Sequence, residues 1–395
     1  MRNMTIGLLL LITLLGCGTS KVYPPAAPHT DAITILHVND MHGAFLPVTI
    51  KDRDGNRERK LGGVLALNHY IKTIRNENHP TLLLNAGDFM TGSPICDIEY
   101  EGAFGGALVK FFNDIGFDGL TPGNHEFDIS VDNAQKLFDL CNFPVFSANL
   151  YHADGRLFTK EPYQIYSKGN LAVGVIGTIV DDLPNYLNRP QRDQLVARPS
   201  APIVDSLAKI LDPLTDLIVV LSHNGLQADS LLAVTVGPEV DVIIGGHSHH
   251  LLQKPAIVNR KIIVQAGSRW RDLGRLDLVV AADTVFSYNY QVIPLWNEGI
   301  ESEPSLEAEV KKEGVYTEAS AKTFLRQMLP VLKYIHSQKV IHRDIKPGNI
   351  LREKKTNKLY LIDFGAVKEQ VNTQLMNQNP ESAFTKISVG TMGFA

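Results

Sequence analysis

Short apolar runs set the strongest limit on how this chain can fold. Seven of them, Ile33–Val38, Thr81–Asn85, Leu171–Thr178, Leu217–Leu221, Val240–Ile244, Lys261–Gln265 and Leu276–Val280, have strand length and are rich in β-branched residues. Amphipathic stretches at Val64–Arg75, Gly106–Ile115 and Ile203–Leu211 lie between several of them. Continuous apolar strands alternating with helices predict an α/β fold whose strands are covered on both faces. In such folds the chemistry sits just past the C-terminal ends of the strands.

Polar, ionisable residues cluster at those positions. Five segments carry them: "HVNDMHG" (His37–Gly43), "NAGDFMTGS" (Asn85–Ser93), "GNHEFD" (Gly123–Asp128), "LSHNG" (Leu221–Gly225) and "GGHSHH" (Gly245–His250). Each offers Asp, Asn or His, a donor set suited to Zn, Mn or Fe rather than to a thiolate site. Singly, each has an ordinary reading. Asp40 can cap a helix, Gly87-Asp88 can form a turn, and Asn124 can sit in a left-handed loop. His223 alone reads as a core or loop histidine.

Taken in order, the segments spell D-x-H, G-D, G-N-H-E/D, H and G-H-x-H. That order resembles the calcineurin-like metallophosphoesterase family over roughly residues 31–298. The L-H-x-N-D-x-H-G opening, the G-N-H-E-F-D motif and "QAG…LGRLDL" (Gln265–Leu278) narrow the resemblance to its bacterial 5′-nucleotidase/UDP-sugar hydrolase branch. The resemblance implies a β-sandwich flanked by helices and two divalent metal ions, Zn, Mn, Fe or Co. One ion would take Asp40, His42, Asp88 and His249; the other would take Asp88, Asn124, His223 and His247. Asp88 would bridge ions about 3.5–4 Å apart, and the hydroxide between them would attack phosphorus. His125 is expected beside the leaving group, oriented by Asp128. "HSHH" also offers His250 in place of His249. His37 is expected to be structural, and Glu126 to back a ligand or face the surface.

The start of the chain reads as an export signal. Arg2 precedes a nearly unbroken apolar run from Met4 to Gly16, too short to span a bilayer. Leu14-Leu15-Gly16-Cys17 resembles a lipobox, which implies a signal peptide over 1–16, lipidation at Cys17 and a flexible tether over 17–30. Gly18 fits outer-membrane sorting. The expected location is the periplasm or an outer-membrane anchor, with an ordinary secretory leader as the alternative. Export permits a disulfide between Cys96 and Cys141, though two separate thiols fit equally well.

After Trp296 the nucleotidase branch normally continues into a substrate domain. Here residues 299–314 read as a charged linker, followed by an amphipathic pattern at Glu318–Gln338 and then "VIHRDIKPGNIL" (Val340–Leu351). With Asp363-Phe364-Gly365, this resembles the C-lobe of a Hanks-type Ser/Thr kinase, a mainly α fragment over 315–395. By that resemblance Asp344 is the base, Lys346 belongs to the same loop, and Asn349 and Asp363 bind Mg²⁺. No Gly-rich loop, β3 lysine or αC glutamate is recognisable before residue 315, so kinase activity is not expected.

The net charge of −4 gives no electrostatic reason for nucleic-acid binding. The expected partners are a small phosphoester, foremost a nucleotide, and a membrane reached through Cys17. The chain therefore reads as an exported metal-dependent phosphoester hydrolase. The alternatives are a kinase-related signalling fusion, or an open reading frame joining two genes.

Overall fold

The computed structural model describes residues 30–51, 57–77, 79–281 and 283–338, with short pieces at 340–342, 345, 350–352, 358–362 and 368–369. Side chains at 313–324, 351–352 and 368–369 are not described. Cys17, Asp344, Lys346, Asn349 and Asp363 all lie outside the described residues.

Two sheets form the centre. Their strands, in chain order, are β1 (Thr30–Val38), β2 (Thr81–Asn85), β3 (Gly119–Leu120), β4 (Tyr163–Lys168), β5 (Leu171–Ile179), β6 (Leu217–His223), β7 (Val242–Ile244), β8 (Ala256–Val258), β9 (Lys261–Val264), β10 (Asp272–Ala281) and β11 (Val285–Pro294). The first sheet has the order β11-β10-β1-β2-β3 and the second β8-β9-β7-β6-β5-β4. The pairs β1–β2, β2–β3, β5–β6, β6–β7 and β7–β9 are parallel.

Alternation along each strand explains the layering. Ile33 and Ile35 of β1 join Leu82 and Leu84 of β2 in the core between the sheets. From the second sheet, Val173 and Val175 of β5, Leu217, Val219 and Leu221 of β6, and Val264 of β9 meet them there. Leu36 and Val38 of β1 point the other way, into a core shared with α1 (Val64–Arg75), α2 (Gly106–Ile115) and α3 (Val131–Leu140). On the far side, Ile218 and Val220 of β6 pack with α4 (Ser200–Leu211) and α5 (Leu226–Thr235). Both faces of the central strands are thus buried, which is why they read as unbroken apolar runs. The result is a mixed α/β sandwich flanked by helices.

The C-terminal ends of β1, β2, β3, β6 and β7 open on one edge, and the five polar segments leave from them. Two features differ from the sequence reading. Residues 299–314 are not a free linker: α6 (Pro304–Ser337) starts at Pro304, and Leu306 and Val310 are buried in the core with α1 and α2. The dense charge around those two residues hides their i, i+4 apolar stripe. Strand β11, which pairs antiparallel with β10, is not among the apolar runs, because its half-exposed sequence alternates polar and apolar residues. Cys96 and Cys141 are free thiols.

Candidate metal centre

Unusual backbone brings the polar side chains together. Asp40, His42, Asp88, His247 and His249 all have positive φ, from 48° to 69°. Asp and His tolerate that region better than most residues, yet it still costs energy and is kept where surrounding contacts impose it. Gly123 allows a close approach: a Cβ there would collide with the Asp88 carboxylate.

Three groups of side chains converge, each with ligand atoms within 4.8 Å of one another: Asp40, His42 and His249; His42, Asp88 and His125; and Asp88, His223 and His247. Asn124 joins them through its Oδ1, 3.0 Å from His247 Nδ1. His250 stays outside, exposed, with Nδ1 2.9 Å from Ser248 Oγ. His37 is buried in the sheet core, stacked on Tyr290.

The tautomers decide what this cluster can hold. His223 Nδ1 lies 2.5 Å from the Ala86 carbonyl, so Nδ1 carries the proton and Nε2 faces inward, 3.0 Å from Asp88 Oδ2. His42 Nδ1 likewise faces the Met90 and Thr91 carbonyls, at 3.3 and 3.1 Å. Its Nε2 is 3.0 Å from His249 Nε2, which in turn is 3.3 Å from Asp40 Oδ1. Nitrogen lone pairs that face carboxylates and one another are stable only around positive charge. Burial alone would push His223 down, but Asp88 raises it to about 10. The pocket demands a cation, and divalent ions meet that demand while displacing the proton. The donor set therefore fits the metals expected.

Supporting groups surround the cluster, and Asn39 and Tyr186 among them are not singled out from the sequence. Asn39 donates from Nδ2 to Asp40 Oδ2 and to the Gly267 carbonyl, both at 2.6 Å, and accepts from Ala266 N–H at 3.0 Å. This ties "QAG" to the first ligand loop. Glu126 is fully buried rather than at the surface. Its carboxylate accepts the amides of Asp88, Phe89, Met90 and Gly123 at 3.0, 2.8, 3.1 and 2.6 Å, clamping two ligand loops together. Tyr186 sets an exposed ring edge-on to His247, with centroids 4.9 Å apart. His125 Nδ1 lies 2.7 Å from Asp128 Oδ2. Burial pushes His125 down, but the Asp128 hydrogen bond and the Asp88 charge outweigh it and raise it to about 9.

The calcineurin-like phosphoesterase profile matches residues 33–251. The chain belongs to that family. A protein kinase domain profile matches residues 274–394, and the start of that span coincides with β10 and β11 of the phosphoesterase sheet. The 5′-nucleotidase of Bos taurus is 31% identical over 319 residues, covering 74% of this chain and 54% of that protein. Serine/threonine-protein kinase B of Synechocystis sp. is 56% identical over 92 residues, 23% of this chain and 16% of that one. The fold is similar to that of the 5′-nucleotidase precursor of Thermus thermophilus, with a TM-score of 0.65 at 24% identity, covering 73% of this chain and 60% of the other. The chain spans about half the length of the curated nucleotidases it matches.

Proposed function

We propose that this phosphoesterase hydrolyses small phosphate monoesters, foremost 5′-nucleotides, with two divalent ions. One ion is assigned to Asp40, His42, Asp88 and His249, and the other to Asp88, Asn124, His223 and His247. The observation that carries the reading is the convergence of imidazole nitrogens on two buried carboxylates: His223 Nε2 faces Asp88 with Nδ1 held by a carbonyl, His249 Nε2 faces Asp40, and His42, its Nδ1 also on carbonyls, turns Nε2 to His249. When bound, such ions neutralise phosphoryl charge and bring the pKa of water towards about 7. The chain's own residues do the rest. Asn39 aims Asp40, and Glu126 holds the loops of Asp88 and Asn124 in register. Asp128 accepts the Nδ1–H of His125, which turns Nε2 towards the leaving oxygen.

The kinase-like segment is read as inactive, since β10 and β11 ahead of it belong to the first sheet and the first turns of α6 pack into the core with α1 and α2. Export and a lipid anchor at Cys17 rest on the leader alone. A metal-reconstituted panel of 5′-AMP, UDP-glucose, 2′,3′-cyclic AMP and p-nitrophenyl phosphate tests the substrate. Preference for 5′-AMP is the expected result, and turnover of cyclic AMP alone would overturn the nucleotidase assignment.

A further inference from the structure

Thr91 is a β-branched residue at φ 64°, a placement such residues rarely adopt. Its hydroxyl donates to Asp128 Oδ2 at 2.6 Å, the same oxygen that lies 2.7 Å from His125 Nδ1. Its carbonyl lies 3.1 Å from His42 Nδ1. One strained residue therefore touches both the His125–Asp128 pair and a residue of the metal cluster. A carboxylate rotates easily about its last torsion, so a single histidine contact leaves its plane loosely set. A second donor on the same oxygen removes that freedom.

We infer that Thr91 is a positioning residue that locks Asp128, and through it aims His125 Nε2–H at the leaving oxygen. This rests on the phosphohydrolase reading above. In the step it serves, water oxygen bonds to phosphorus as the ester P–O bond breaks. The leaving oxygen keeps that bond's electron pair and takes the His125 proton, and a proton from the attacking water returns to the imidazole. The products are an alcohol and inorganic phosphate.

The test compares phenyl phosphate, whose leaving group needs a proton, with p-nitrophenyl phosphate, whose leaving group does not. Thr91→Val keeps the shape and deletes the hydroxyl. It is expected to lower kcat for phenyl phosphate by about tenfold or more, part of the roughly 10²–10⁴-fold a positioned acid contributes. The nitrophenyl ester should change far less, with KM and bound metal retained and Thr91→Ser restoring the rate. In metal-free protein, the His125 Nδ1–H proton resonance should broaden in Thr91→Val and persist in Thr91→Ser. If Thr91→Val does not fold, Thr91→Gly, which suits the positive φ, replaces it with the same expectations. Equal loss on both esters, no loss on either, or an unchanged resonance would overturn the inference. If the wild type cleaves neither ester, the hydrolase reading fails and the resonance alone decides the role of Thr91.

Discussion

His223 and His249 each face a carboxylate, but in different surroundings. The His223 side chain is fully buried beside Asp88, whereas that of His249 is 45% exposed beside Asp40. His223 closes a strand, so sheet pairing and the Ala86 carbonyl hold it. His249 rides on a loop with positive φ. A histidine buried with its carboxylate depends on every partner, while one whose ring reaches solvent is screened there. The His223 side of the pocket is thus closed within the fold, while the other side keeps Asp40 and His42 buried and reaches solvent through His249.

The largest effect should come from Asp88, the residue the proposal assigns to both ions. Asp88→Asn is expected to lower kcat/KM by about 10³-fold, at the upper end of what one electrostatic group contributes. Near-normal hydrolysis would end the shared-carboxylate assignment. Next, His223→Ala should destabilise the metal-free protein by about 3 kcal/mol or more, since it strands a buried carboxylate. His249→Ala should stay within about 0.5 kcal/mol, as exposed substitutions do. Equal losses in urea melts would erase the difference between the halves.

A separate, pH-dependent effect lies beneath the buried half. Asp229 is fully buried, accepts from Ser222 Oγ at 2.5 Å, and is raised to about 7 by burial. The folded state then holds a proton that the unfolded chain has lost, so stability falls as pH rises from about 4 to 7, by at most about 1.4 kcal/mol per unit. Asp229→Asn should flatten that slope, and an unchanged slope would place its cause elsewhere.

Much of the fold was legible because burial on both faces makes strands continuous and apolar. The ends of α1 and α2 match the amphipathic stretches, and β2 matches its run. What escaped notice has physical reasons. The edge strand β11 is half exposed, and the first turns of α6 hide Leu306 and Val310 among charges. At the site, side-chain type named the donors and one of the two roles expected of Glu126, but Asn39 works through a backbone amide and carbonyl that residue type does not disclose. The strain at Thr91 is a backbone property, silent in a run of letters.

Metal titration tests the central claim most directly. The full chain is stripped with chelator, and Mn or Zn is added back while bound ions and 5′-AMP hydrolysis are measured together. Two ions per chain are expected, the first filling the buried half without full activity and the second restoring turnover. Full activity with one ion bound, or with none, would contradict the account.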